Sequence, residues 1–327
     1  MSGNPQQVAK KGALGESGHR VLSGFDTVQG GAIPGTDRTA YSLLMPQGTS
    51  VPIVISIPHA GRAYPCELLR QMRDPERAAL LLEDRYVDSL GEAIAQETGA
   101  TLLIAEAPRA MLDLNRAPDD IDWSMIAGAP PTQVRHSLGN RRARSGLGLI
   151  PRKLARVGDI WRQRLDFSEL TQRLQSVHVP YHVELARVLS EMRDRWGAAL
   201  LIDLHSMPPL VEEASPLPAP QLVIGDRFGA SCAADLSALA LNQLGRCRAV
   251  AHNLPYAGGY VLDRHGAPKR GIHALQVEVC RTAYLDQEMR QLGVRFAAVA
   301  RELAAFIGTI GEEVAWLGRP QSCLAAE

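Results

Sequence analysis

Ala199-Leu200-Leu201-Ile202-Asp203-Leu204-His205-Ser206-Met207-Pro208 sets four apolar residues in front of an Asp, a Leu and a His. An unbroken apolar run of this kind predicts a buried strand, parallel to its neighbours and covered on both faces. Pro208 and Pro209 end it. Side chains alternate along a strand, so Asp203 and His205 share a face at its carboxyl end. In an open α/β sheet that edge is where ligands bind. Asp203 can hydrogen-bond one imidazole nitrogen and leave the other for a metal. A His that merely caps the strand is the plainer alternative.

Outward from this stretch, Val51-Pro52-Ile53-Val54-Ile55-Ser56-Ile57-Pro58-His59-Ala60-Gly61 repeats the pattern. It is another apolar strand ending in a polar turn with a His. Two such histidines can converge on one point, and catalytic Zn²⁺ commonly takes two His and a carboxylate with one position open. Further strand-like runs lie at 101–106, 221–225 and about 272–279. They alternate with helical patterns at 75–98, at about 167–196 with a kink near Pro180, at 231–245 with Ser231 as N-cap, and at about 286–315 with Asp286 as N-cap. The alternation means an α/β fold, a largely parallel sheet flanked by helices.

Residues 1–20 are polar and Gly-rich and are expected to be a disordered tail. Residues 21–50 read as an extended lead-in to a single domain spanning 21–327. A loop or lid is expected at about 117–160. Arg recurs there, at Arg135, Arg141, Arg142, Arg144, Arg152 and Arg156. Without aromatic interleaving these read as a solvated loop, or one gathering anionic substrate, rather than a nucleic-acid surface.

The 327 residues are 46% hydrophobic and 21% charged, with a formal net charge of zero. No overall field therefore favours nucleic acid or membrane. No apolar run approaches the ~20 residues of a membrane span, and no apolar h-region follows Lys10-Lys11. Cys66, Cys232, Cys247, Cys280 and Cys323 form no CxxC pair. Reduced thiols in a cytoplasmic protein are expected, not a disulfide framework or a zinc knuckle.

The third metal ligand should be a carboxylate, and Leu82-Glu83-Asp84-Arg85-Tyr86-Val87-Asp88 offers three. Asp84 and Asp88, four apart, would share a helix face; solvated surface acids are the plainer reading. Asp113-Leu114-Asn115-Arg116 follows a strand. Asn115 with Arg116 makes a fork of donors suited to a carboxylate, which Asp113 can orient and Arg109 can join. A structural Asp113–Arg116 pair is the alternative. Glu278, between Val277 and Val279, is costly to bury unless it is paired or at work. A carboxylate beside a cation suits the general base of metal-assisted amide hydrolysis. His182 can reach the pocket from the preceding helix, and His178 reads as a loop or surface residue.

Ser56-Ile57-Pro58-His59-Ala60-Gly61, Asp113-Leu114-Asn115-Arg116, Asp203-Leu204-His205-Ser206, Gly258-Gly259-Tyr260 and His273-Ala274-Leu275-Gln276-Val277-Glu278 occur in an order that resembles the N-formylglutamate amidohydrolases, over roughly residues 50–290. That family is similar to zinc carboxypeptidases and aminoacylase-type desuccinylases. The resemblance implies a zinc-exopeptidase-like (phosphorylase/hydrolase-like) fold, three layers α/β/α around a mixed, mostly parallel sheet. It implies one zinc per chain, or another divalent transition metal, with His59 and His205 as ligands. It also implies Asn115 and Arg116 on the substrate carboxylate, Glu278 as the base, and Tyr256 as a mobile substrate-facing residue. In the carboxypeptidases the acidic ligand comes three residues after the first His. Here that position is Arg62, so the acid must come from the next helix, and Asp84 is preferred to Asp88 and Glu83. Many family members have a His two residues after the acid; this chain has Tyr86.

The activity implied is hydrolysis of a small carboxylate-bearing N-formyl (N-acyl) amino acid. N-formyl-L-glutamate, cleaved to formate and L-glutamate as in histidine degradation, is the leading candidate. Arg116 would be part of the catalytic set, with Arg109 helping at the carboxylate or the oxyanion. One rival is a carboxypeptidase-like metallopeptidase, which needs an open groove. Another is a non-catalytic metal- or ligand-binding protein of the same fold, against which an intact Glu278 argues.

Overall fold

The centre of the fold is built from runs that have no polar face. In the computed structural model, which describes residues 20–48, 50–130, 141–155, 157–210 and 218–319, they become the inner strands of one sheet. The strands are β1 (Phe25–Gly30), β2 (Tyr41–Pro46), β3 (Ile53–Ile57), β4 (Thr101–Ala105), β5 (Ala199–Met207), β6 (Leu222–Gly225), β7 (Val250–His252) and β8 (Ile272–Cys280). Their spatial order is β1-β2-β4-β3-β5-β8-β6-β7. The inner strands β4, β3, β5 and β8 are parallel. β6 runs against β8, and β1 and β2 are antiparallel additions at the other edge. The lead-in thus supplies two strands of the sheet.

Helices of six or more residues are α1 (Cys66–Gln71), α2 (Pro75–Leu82), α3 (Val87–Thr98), α4 (Phe167–Arg173), α5 (Val179–Trp196), α6 (Ala234–Gly245), α7 (Tyr260–His265) and α8 (Phe296–Leu317). Period-two alternation divides β3 between two cores. Ile53, Ile55 and Ile57 pack in one with Leu90 of α3 and Leu303 of α8. Val54 packs in the other with Tyr181 and Leu185 of α5. β5 divides likewise, but on the α5 face its apolar Ala199 and Leu201 give way to Asp203 and His205 toward the carboxyl end.

Four sequence expectations are corrected. The helix expected at 75–98 is two helices, because Asp84 N–H donates to the His59 carbonyl (2.9 Å) and Tyr86 takes φ +59°. Asp84 and Asp88 therefore do not share a helix face. Ser231 is not an N-cap: its hydroxyl donates to the Ala274 carbonyl, and α6 begins at Ala234. Asp286 accepts from the main-chain N–H of Arg290 and Gln291, closing a turn, and α8 begins at Phe296. The insertion is not all loop: Ile126–Ala127 pairs with Leu165–Asp166, and Lys153–Leu154 with Gly158–Asp159. The kink near Pro180 takes the form of a π-turn at Leu174–His178. The tail at 1–19, Arg135 and Arg156 lie outside the described residues. No helix among the described residues is long and apolar enough to cross a membrane.

Arg20 ties the lead-in to the body of the fold. Its guanidinium donates to Glu106 (2.6 Å), Glu92 (2.7 Å) and Asp88 (2.9 Å), and Arg62 shares Asp88 at 2.6 Å. Arg20→Met is expected to cost about 3–5 kcal/mol, as breaking a buried pair does. Urea unfolding checks this. A loss under about 1 kcal/mol would place the cluster with screened surface pairs.

Candidate metal centre

β3 delivers its chain to the turn carrying His59. The turn lies tight against β4's continuation: a Cβ at Gly61 would fall 2.1 Å from the Ala107 carbonyl oxygen, so only Gly fits. β5 presents His205 on the α5 face, and the break between α2 and α3 presents Asp84. The ligating atoms of His59, Asp84 and His205 lie within 4.8 Å of one another, and all three residues are buried. Asp84 Oδ2 is 2.9 Å from His205 Nδ1 and 3.4 Å from His59 Nδ1. Each imidazole is gripped from behind by a carboxylate: His59 Nε2 by Asp113 Oδ1 at 2.7 Å, and His205 Nε2 by Asp203 Oδ2 at 2.8 Å. Such carboxylate–histidine pairs fix the ring and leave the opposite nitrogen for a cation.

His59 Nδ1 is buried and has no hydrogen-bond partner. Leaving a buried polar atom unsatisfied costs about 1–3 kcal/mol, so the atom is placed for a ligand from outside the chain. Two imidazole nitrogens and one carboxylate oxygen are a donor set that suits zinc. The residues fit the ion.

Electrostatics sharpen the site. Burial acts to raise the Asp84 pKa, but the His205 and His59 imidazoles outweigh it and hold the carboxyl well below its ordinary range. Burial acts likewise on Asp113, and Arg109 and then His59 hold it low. For His205, burial pushes the pKa down, and Asp203 and Asp84 lift it well above its ordinary value. Glu278 stands opposite His205 in the β5–β8 register, and its Oε1 accepts from Gln276 Nε2 at 2.9 Å. Burial pushes its pKa up to about 7 against the pull of His205.

Of the three acids considered as ligands, Asp84 faces the imidazoles. Asp88 is taken by Arg20 and Arg62, and Glu83 turns toward Arg85. Arg109 binds Asp113 Oδ2 at 3.0 Å, and the charges of Asp84 and Glu278 act on it. Tyr256 is part-buried against Met207, Val223 and Cys280, and the charges of Glu278, Arg281, Asp84 and Arg109 act on its hydroxyl. Asn115 lies beneath the cluster. Its Nδ2 donates to Asp203 Oδ2 at 3.2 Å, and its Oδ1 accepts from Val261 N at the start of α7. Gly259 permits this approach, since a Cβ there would meet Asn115 Oδ1 at 2.5 Å.

Arg116 is placed differently from the expectation. Its guanidinium donates to the main-chain carbonyls of Leu147 (2.9 Å) and Asn115 (2.7 Å), on the side of the insertion. His182 does not enter the pocket. Its Nε2–H donates to Leu114 O (2.9 Å) and its Nδ1 accepts from His265 (3.0 Å), bracing the Asp113–Arg116 turn from behind. His178 is buried rather than on the surface. It donates to Arg116 O, and burial lowers its pKa to about 4. Ser206 and Arg281, which carry no role in the sequence reading, meet the other oxygen of Asp84. The one signal for Arg281 is an arginine directly after an apolar strand, three residues past Glu278.

Residues 51–285 match the family model for N-formylglutamate amidohydrolase. The chain is similar to the N-formylglutamate deformylase of Pseudomonas putida, 29% identical over 241 residues that cover 72% of this chain and 83% of that protein. It is also similar to the N-formylglutamate deformylase of Pseudomonas aeruginosa, 28% identical over 276 residues, covering 80% and 95%. The crystal structure of N-formylglutamate amidohydrolase from Ralstonia eutropha JMP134 shares its fold with a TM-score of 0.76 at 32% identity, covering 84% of this chain and 98% of that one. The matched interval holds His59, Asp84, His205, Glu278 and Arg281; β1, β2 and Arg20 precede it.

Proposed function

The chain belongs to the N-formylglutamate amidohydrolase family, and from that we propose that it hydrolyses the amide of an N-formyl amino acid, N-formyl-L-glutamate foremost, with a divalent metal held by His59, Asp84 and His205. The catalytic unit proposed is residues 21–327, with β1 and β2 completing its edge, Arg20 just before it, and a loop or lid insertion at about 117–160. The observation that carries the reading is the buried Nδ1 of His59, which makes no hydrogen bond, in a cluster with Asp84 and with His205, which stands opposite Glu278.

Bound there, zinc supplies Lewis acidity to the formyl carbonyl and to the attacking water. Glu278 takes a proton from that water as its oxygen bonds to the formyl carbon. The same carboxyl returns the proton to the leaving nitrogen as the C–N bond breaks, giving formate and the free amino acid. Asp113 and Asp203 keep the imidazoles in the tautomer that directs Nδ1 inward. Arg109, held by Asp113 and by the Leu82 carbonyl and felt by the charges of Asp84 and Glu278, is the guanidinium assigned to a substrate carboxylate or the developing oxyanion. Tyr256 lines the same space.

The reading is tested by formate release from a panel of N-formyl amino acids, before and after chelation, with metal analysis of the purified chain. N-formyl-L-glutamate should be cleaved fastest, and chelation should stop the reaction. Undiminished release from chelated, metal-free protein would remove the metal. Cleavage of peptides but of no N-formyl amino acid would make the chain a peptidase.

The two arginines separate in the same assay. Arg109→Lys should raise KM for a dicarboxylate substrate about 10-fold or more, because Lys keeps the charge and loses the planar fork. Arg116→Lys should leave KM within about threefold, since its guanidinium is engaged with Leu147 and Asn115. The reverse order would put the substrate carboxylate on Arg116.

A further inference from the structure

Asp84 reaches the cluster from a turn between two helices, and that turn must be held if its carboxylate is to serve as a ligand. One tie is the hydrogen bond from Asp84 N to His59 O. The other is Arg281, on the short 3-10 turn Arg281–Ala283 that ends β8. Its Nη2 donates to Glu83 O at 2.6 Å and its Nη1 to Leu80 O at 3.2 Å. These carbonyls belong to the carboxyl end of α2, where a cation is favoured. Its Nε donates to Ser206 Oγ at 3.2 Å. Ser206 Oγ in turn donates to Asp84 Oδ1 at 3.3 Å, and Arg281 Nη2 lies 3.5 Å from the same oxygen. Oδ1 is thereby occupied, and Oδ2 faces the two Nδ1 atoms.

We propose that Arg281, through Ser206 and the Leu80–Asp84 main chain, is the positioning residue that fixes Asp84 as a one-oxygen metal ligand and so sets the affinity of the site. The proposal rests on the metal reading above. It follows from where the acid originates. Position 62, three residues past His59 on the same turn, is an arginine engaged with Asp88. The ligand carboxylate therefore comes from a separate segment with no strand to hold it. A planar guanidinium can meet Glu83 O, Leu80 O and Ser206 Oγ at once; an ammonium on a flexible stem cannot. Arg281 also joins the end of the strand bearing Glu278 to the turn bearing Asp84, so ligand and base share one brace.

The test uses the full chain, with zinc affinity from chelator competition, Co²⁺ absorption spectra, and melting of the metal-free proteins. Removing a partner of this kind typically weakens metal binding about 10–100-fold. Arg281→Met should fall in that range and Ser206→Ala near its lower end. The double variant should bind no more weakly than Arg281→Met, because both act on one oxygen. Arg281→Lys should not restore the wild-type affinity. The Co²⁺ spectrum of Ser206→Ala should shift as the carboxylate is freed. Wild-type zinc affinity and an unshifted spectrum in Ser206→Ala would overturn the proposal even if Arg281→Met fails to fold. So would an Arg281→Met protein that binds zinc within twofold of wild type. A wild-type chain that takes up neither zinc nor cobalt would overturn the metal reading itself, and this inference with it.

Discussion

Glu278→Gln is expected to fold, to keep its metal, and to lose about 10²–10⁴ in turnover, the usual cost of removing a general base. The loss should fall on kcat, because the role proposed for the carboxylate is on the water and the leaving nitrogen rather than in substrate binding. Geometry favours survival of the fold. Glu278 is bonded to the Gln276 amide rather than to a guanidinium, and a Gln side chain can accept the same N–H. Packing is nearly isosteric. Charge works in the same direction. Burial raises the carboxyl to about 7, so the folded metal-free chain holds a proton that the unfolded chain has released. Stability contributed below the unfolded carboxylate pKa is then lost as pH rises from about 4.3 toward 7. A neutral Gln escapes that loss, so the metal-free variant should melt no lower than wild type at pH 8. If Glu278 were instead half of a buried ion pair, the variant would lose about 3–5 kcal/mol. A folded, metal-loaded variant with near-normal formate release would take Glu278 out of the mechanism.

The parts of the site that could be read from sequence are those made by strands. Asp203 and His205 follow an apolar run, and period two alone puts them on one face; the structure adds the 2.8 Å bond between them. Glu278 stood out because an acid between two valines needs a reason. What escaped reading was made by tertiary contacts. Leu80, Leu82, Val87 and Leu90 keep helical spacing across a break that exists because the His59 carbonyl captures Asp84 N–H. In sequence Arg116, beside Asn115, has the stronger claim to a substrate carboxylate, and Arg109 only joins it. Their difference lies in what surrounds them: the Leu147 carbonyl from the distant insertion holds Arg116 on that side, whereas Arg109 is held on Asp113, where the charges of Asp84 and Glu278 act on it. His178 looked exposed until the Asp113–Arg116 turn was laid over it. Asp286 has the chemistry of a cap, but the helix begins ten residues later, and nothing local marks that delay.

His205→Ala is expected to abolish metal binding and formate release together. The wild-type chain should carry about one zinc, held by three protein ligands with an open position. With His205 gone, two ligands remain, His59 and Asp84, too few to retain the ion in an open site. The surroundings cannot compensate. Asp203 Oδ2 lies behind the lost ring, committed to Asn115 at 3.2 Å, and Asp84 Oδ1 is committed to Ser206. The variant also leaves two carboxylates without the imidazole between them, so the metal-free chain should itself melt lower, by the equivalent of several kcal/mol if the pairs count as buried. Zinc content must therefore be measured on protein shown by circular dichroism to be folded. His59→Ala makes the parallel test: it too should lose the metal, and it leaves the His205–Asp203 and His205–Asp84 pairs in place while freeing Asp113 Oδ1 instead. Full zinc occupancy in folded His205→Ala would mean that the ion sits elsewhere and that the imidazole facing Asp84 is structural.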